Sequence, residues 1–127
     1  METTGSKPGK GPRKALVVDD MALVRMSTAD MIGEMGLTAA EAGTGPEALE
    51  LLAQDKDIDL LVTDLGLPGM SGAELIREAR RRNPSLAVVV ISGYSRNAEN
   101  SGDIPADAMF VVKPFDTAQL RRAIFRN

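Results

Sequence analysis

No cysteine and no histidine occur among the 127 residues. The first absence excludes disulfides, thiolate metal sites and thiol nucleophiles. The second excludes serine–histidine triads, most transition-metal sites and any phosphohistidine formed by this chain itself. Long apolar runs are missing too. The densest, Leu86 to Ile91, is far below the ~20 residues that cross a bilayer. The amino terminus is polar and glycine-rich rather than apolar as in a secretory signal, so a cytoplasmic protein without a membrane role is expected. Any chemistry falls to carboxylates, hydroxyls and lysine.

What is present fits one soluble globular domain: 43% hydrophobic and 26% charged residues in a chain of ordinary domain length. The net charge of −3 is unevenly spread. Residues 1–14 carry Lys7, Lys10, Arg13 and Lys14 against Glu2, which leaves the remainder strongly acidic. An acidic body does not suit the phosphate backbone of nucleic acid, so no nucleic-acid binding by the folded part is expected. Residues 1–13, rich in Gly, Pro, Ser and Lys, read as a flexible basic leader, and 14–127 as one domain.

From there two kinds of segment alternate. Ala15–Val18, Leu60–Thr63, Leu86–Ile91 and Met109–Val112 are short, β-branched and nearly continuous in apolar character, as in strands covered on both faces. Leu37–Ala42 is more polar and suits an edge strand. Between them Val24, Met31, Ile32 and Met35 mark one face of a helix from about Ala22 to Met35, stopped by Gly36. Thr44-x-x-Glu47, Ser71-x-x-Glu74 and Asp116-x-x-Gln119 open three further helices. The inward residues should be Leu49 and Leu52, then Leu75, Ile76 and Ala79, then Leu120, Ile124 and Phe125. Arg96–Asp107, with its asparagines, Gly102 and Pro105, predicts a short or mobile fourth helix. The repeated strand–helix order predicts a doubly wound α/β domain with a five-stranded parallel sheet. In such sheets ligands bind beyond the carboxyl ends of the strands.

Those ends carry Asp19-Asp20, Asp64, Ser92 and Lys113-Pro114. Taken singly, each is a helix cap, a turn or a surface loop. Together they deliver three carboxylates, a hydroxyl and an ammonium to one rim. Adjacent carboxylates raise one another's pKa unless a cation lies between them, and oxygen ligands of this kind suit Mg²⁺. Neutralising Asp64 should then stabilise the metal-free protein by relieving repulsion.

The segments LVVDD (16–20), LVTDLGLPGMSG (61–72), VVISGY (89–94) and VVKPF (111–115) resemble, in order and spacing, the receiver domain of two-component response regulators. The resemblance runs from about Lys14 to Arg126 and implies a flavodoxin-like sheet of order 2-1-3-4-5 with helices on both faces. It also implies that Asp64 is the phospho-acceptor, taking a phosphoryl group from a histidine kinase or a histidine phosphotransfer protein. Asp20, Asp64 and the backbone carbonyl of Gly66 would ligate Mg²⁺, with Asp19 acting mainly through water. Lys113 and Ser92 would contact the phosphoryl oxygens, Ser92 and Phe110 would form a switch, and Lys113–Pro114 would be a cis peptide. The expected output is a changed surface around the fourth helix and fifth strand that controls a downstream protein partner. As an isolated domain the chain would not be an enzyme beyond promoting its own phosphorylation and dephosphorylation, although a longer natural chain could be part of a histidine kinase.

Gly66 and Tyr94, each two positions after a site residue, depart from the side chains usual in receivers and bear on the lifetime of the phosphoryl group. Two other readings compete. A degenerate receiver acting only as an interaction module would not keep all the acids, Ser92 and Lys113. A small aspartyl-phosphate phosphatase would want Asp-x-Asp after the first strand, where Asp19 and Asp20 are adjacent. The basic run Arg80-Arg81-Arg82 reads as a solvated helix end, favourable to the helix dipole.

Overall fold

The computed structural model describes residues 11–93 and 104–125. The elements run β1 (Lys14–Val18), α1 (Ala22–Glu34), β2 (Thr38–Ala42), α2 (Gly45–Gln54), β3 (Leu60–Asp64), α3 (Gly72–Arg82), β4 (Ala87–Ser92), β5 (Met109–Val112) and α4 (Thr117–Phe125). The five strands form one parallel sheet in the order β2-β1-β3-β4-β5, as expected. Burial explains the order. Leu16, Val17 and Val18 of β1, Leu60, Leu61 and Val62 of β3 and Val88 to Ile91 of β4 are all buried, as interior strands require. The polar β2, with Thr38 and Glu41 exposed, takes the edge.

Alternation along each strand sends side chains to opposite faces, and two cores result. One packs Leu16, Val18, Leu61, Val88 and Val90 against Ala48 and Leu49 of α2 and Leu75, Ile76 and Ala79 of α3. The other packs Ala15, Val17, Leu60, Val62, Val89 and Ile91 against Ala29 and Ile32 of α1 and Leu120, Ala123 and Ile124 of α4. Helices therefore cover both faces.

Local chemistry sets where the helices start. Ser71 and Glu74 form a reciprocal capping box at α3, and Asp116 and Gln119 exchange the same two bonds ahead of α4. At α2 the Thr44 side chain accepts from Glu47 N, while the Glu47 carboxylate reaches past it to Gly43 N. Helix α1 differs from its expected stripe. It buries Thr28, Ala29 and Ile32, with Met31 and Met35 only partly covered. Leu23 and Met26 stay exposed, so apolar residues lie all round this helix and their spacing alone could not define its inner face. Gly36 follows the helix at φ +94°, the left-handed conformation that ends helices.

The expected fourth helix falls largely on 94–103, outside the described residues. Its end, 104–108, is a turn with Ile104 and Ala108 buried against the α2–α3 side. Residues 11–13, the end of the expected leader, lie against the body: Arg13 N donates to both Asp59 carboxylate oxygens, at 3.0 and 3.1 Å. The arginine run is not a uniform basic face either. Arg81 and Arg82 pair with Glu78, whereas Arg80 donates to the Leu86 carbonyl and makes two bonds to the Asp107 carboxylate.

Candidate functional site

Parallel register brings the strand ends together. Val18 lies opposite Thr63 and Asp64 opposite Ile91, so Asp19, just after β1, and Ser92, the last residue of β4, flank Asp64. One carboxylate oxygen from each of Asp19, Asp20 and Asp64 lies within 4.8 Å of the other two. Asp19 is buried, Asp64 half-buried and Asp20 exposed, which makes a funnel of negative charge open to solvent on the Asp20 side.

Lys113, at the end of β5, reaches across β4, and its Nζ donates to Asp64 Oδ2 at 2.9 Å. The other oxygen of Asp64, Oδ1, accepts from Gly66 N at 3.0 Å. Lys113 is placed by its backbone, with its N–H donating to the Ser92 carbonyl at 2.8 Å. The following Lys113–Pro114 peptide is cis. Ser92 is buried at the end of β4. It belongs to the same face of the sheet as Phe110, since Val90 pairs with Phe110 and Ser92 with Val112. Phe110 is half-buried against the α2–α3 side. Gly66 enters through its N–H; a Cβ there would stand 3.9 Å from Asp64 Oδ1, an ordinary contact, so its absence leaves the mouth of the site open.

The electrostatics are asymmetric. Burial pushes the Asp19 carboxyl above its usual range; the Met21 N–H it accepts and the Lys113 charge oppose this, while Asp64 and Asp20 add to it. For Lys113, burial works to lower the pKa, but the hydrogen bond and charge of Asp64, with Asp19 and Asp20 behind it, leave it raised. The pair with Lys113 makes Asp64 the wrong place to look for relief of repulsion. Asp19 is the better one, because it is buried and raised. A raised carboxyl pKa favours the protonated native state, so this term stabilises the fold at low pH and is lost as pH rises through the folded-state value. In chelator, Asp19→Asn is therefore expected to melt a few degrees above wild type at neutral pH. The two should converge below about pH 4, where Asp19 is protonated in both states; a gap that persisted or reversed there would contradict this.

Three residues that the sequence patterns did not single out brace the backbone around the acidic cluster. Thr63, fully buried, donates its hydroxyl to the Asp64 carbonyl at 2.9 Å. Gly72, the first residue of α3, donates its N–H to the Leu65 carbonyl at 3.0 Å and lies so close to β3 that a Cβ would overlap the Asp64 carbonyl oxygen. A glycine opening a helix was the available clue. Arg25 donates to the Asp19 carbonyl at 2.9 Å and pairs with Glu41, and no local pattern marks it.

Three oxygen-bearing acids at this spacing form a hard donor set that fits a divalent cation such as Mg²⁺ better than a softer metal. Comparison with known proteins identifies the family. The family model described as the response regulator receiver domain matches residues 15–125. The sensor kinase CckA of Brucella abortus is 35% identical over 90% of this chain, which spans only 12% of that protein. The chemotaxis protein CheY of Thermotoga maritima is 33% identical over 88% of this chain and 94% of its own length. Among solved structures, the response regulator TrrA of Thermotoga maritima, in complex with Mg²⁺–BeF, superposes with a TM-score of 0.77 at 29% identity, covering 87% of this chain and 94% of that one.

Proposed function

Because the chain belongs to the response regulator receiver domain family of two-component systems, we propose that it is a phosphorylatable switch whose acceptor is Asp64. The observation that carries this is the Asp64 carboxylate held between the Lys113 ammonium and the Gly66 N–H, beside Asp19 and Asp20. Residues 14–127 are the switch domain and 1–13 its leader. A cytoplasmic place is proposed with it; among the described residues no helix is long and apolar enough to cross a membrane.

In the proposed reaction an Asp64 carboxylate oxygen attacks the phosphorus of a phosphohistidine on a histidine kinase or phosphotransfer protein. A P–O bond forms, the P–N bond breaks, and its electron pair leaves on the imidazole. Little covalent work falls to the protein, whose part is to position groups and balance charge. Lys113 already lies on Asp64 and can follow the incoming phosphoryl oxygens with its ammonium. Ser92 supplies a hydroxyl donor from the adjacent strand end. Asp19, Asp20, Asp64 and the Gly66 carbonyl would hold Mg²⁺, which when bound offsets the repulsion between the carboxylate and the phosphoryl group. The acyl phosphate adds about −1.5 to −2 charge units, and Ser92 and Lys113 are the groups placed to answer it. Movement of Ser92 toward that charge is the proposed trigger for Phe110, which shares its sheet face, and so for the surface near β5 that a downstream protein would read. On this reading the domain alone is no enzyme beyond handling its own phosphoryl group.

Wild-type protein incubated with acetyl phosphate and Mg²⁺ is expected to gain one phosphoryl group by intact-mass measurement, and none in chelator. Millimolar Mg²⁺ alone should raise the melting temperature, since it binds only the native site. A protein that takes up no phosphoryl group under these conditions is an interaction module rather than a switch.

A further inference from the structure

The turn carrying Asp19 and Asp20 has an unusual anchor. Helix α1 begins there without a side-chain cap: Met21 occupies the N-cap and offers none. The turn is instead held at three points. Asp19 N donates to the Ala42 carbonyl at 3.2 Å. Met21 N donates to Asp19 Oδ1 at 2.9 Å. From the end of the first turn of α1, Arg25 reaches back so that Nη1 donates to the Asp19 carbonyl at 2.9 Å while Nε is fixed on Glu41 Oε1 at 3.1 Å. The Arg25 side chain is mostly covered, with an exposure of 22%, and a Cβ at Gly43 would stand in ordinary contact with Nη1, at 3.4 Å.

The Asp19 carbonyl is one end of the peptide that joins Asp19 to Asp20. Fixing it, together with the Asp19 N–H, fixes the direction in which both carboxylates leave the chain. Asp20 is exposed and is not confined by packing, so its aim depends on that peptide. We infer that Arg25, held by Glu41, is a positioning residue that sets the Asp19–Asp20 peptide and thereby the divalent-cation affinity of the carboxylate cluster.

This rests on the cation-binding reading of the cluster, and charge alone makes the opposite forecast. Arg25 is a cation beside a cation site, so deleting it would tighten Mg²⁺ binding if Coulomb repulsion were its effect. If Arg25 orients the ligands, deleting it weakens binding, as loss of outer hydrogen-bond partners does at metal sites, by about 10-fold or more. The full chain is titrated with MgCl₂ by calorimetry. Arg25→Ala is expected to raise the Mg²⁺ Kd about 10-fold. Arg25→Lys should fall between it and wild type, because an ammonium reaches one of the two acceptors but cannot bridge both. Unchanged or tighter Mg²⁺ binding by Arg25→Ala overturns the inference, even if its metal-free melting temperature falls. Should that variant not fold, Glu41→Ala, which keeps the arginine and removes its tether, is expected to raise the Kd by a smaller factor; an unchanged Kd there overturns it equally. A wild-type chain with no measurable Mg²⁺ binding overturns the cation-site reading itself, and the role of Arg25 with it.

Discussion

Asp64→Asn is expected to take up no measurable phosphoryl group from acetyl phosphate, a loss of at least about 10³-fold against wild type, while remaining folded. The substitution is nearly isosteric. The amide oxygen can still accept from Gly66 N, which lies 3.0 Å from Oδ1 in the wild type, so the β3–α3 connection keeps its local tie. What disappears is the charge facing Lys113 and the anionic oxygen that attacks phosphorus in the proposed reaction. A second consequence separates this residue from its neighbours. Asp19 and Asp20 remain, so residual Mg²⁺ binding should persist in Asp64→Asn although labelling is lost. Labelling that continued in this variant would place the acceptor elsewhere and remove the basis of the proposed switch.

Gly72→Ala is expected to lose roughly 3 kcal/mol of stability, the upper end of the usual cost of overpacking, and about 10 °C in melting temperature for a domain of this size. The cause is space, not backbone conformation. A Cβ at Gly72 would overlap the Asp64 carbonyl oxygen and stand 2.7 Å from Leu65 Cα. These are backbone atoms, unable to rotate away as a flexible side chain would. The strand end must move, and it carries Asp64, the proposed acceptor, so the surviving folded fraction should also be phosphorylated more slowly. Displacements near 1 Å cost on the order of 10²-fold in such reactions. Gly33→Ala is the matched control. Nothing lies within 4 Å of its Cβ position, and alanine in the last turn of an exposed helix should stabilise by at most about 0.5–1 kcal/mol. Equal melting temperatures for Gly72→Ala and wild type would show that the β3–α3 junction yields more readily than its geometry implies.

The strands and most helix starts were legible in the sequence because their causes are local. Val88–Ile91 is β-branched and apolar enough to be buried on both faces, and Ser71 and Glu74 satisfy each other's backbone within four residues. The acids, Ser92 and Lys113 were legible because parallel topology sends every strand end to one rim. Helix α1 was less so: with Leu23 and Met26 exposed and Thr28 buried, hydrophobicity does not report its inner face. Relief of repulsion was assigned by sequence to Asp64 and moves to Asp19, because only folding reveals that Lys113 lies on the former and burial acts on the latter.

By itself, then, the order of residues determined which chemical groups arrive at the carboxyl edge of the sheet, since side-chain alternation and strand–helix repetition depend on neighbours along the chain. The tertiary structure decided how those groups are divided among partners: Asp64 to Lys113 and Gly66, Asp19 to Met21, and the Asp19 carbonyl to Arg25. The bond from Lys113 to Asp64 joins residues 49 apart in the chain. Such pairings are set by the register of adjacent strands, and distances of that kind exist only once the sheet has formed.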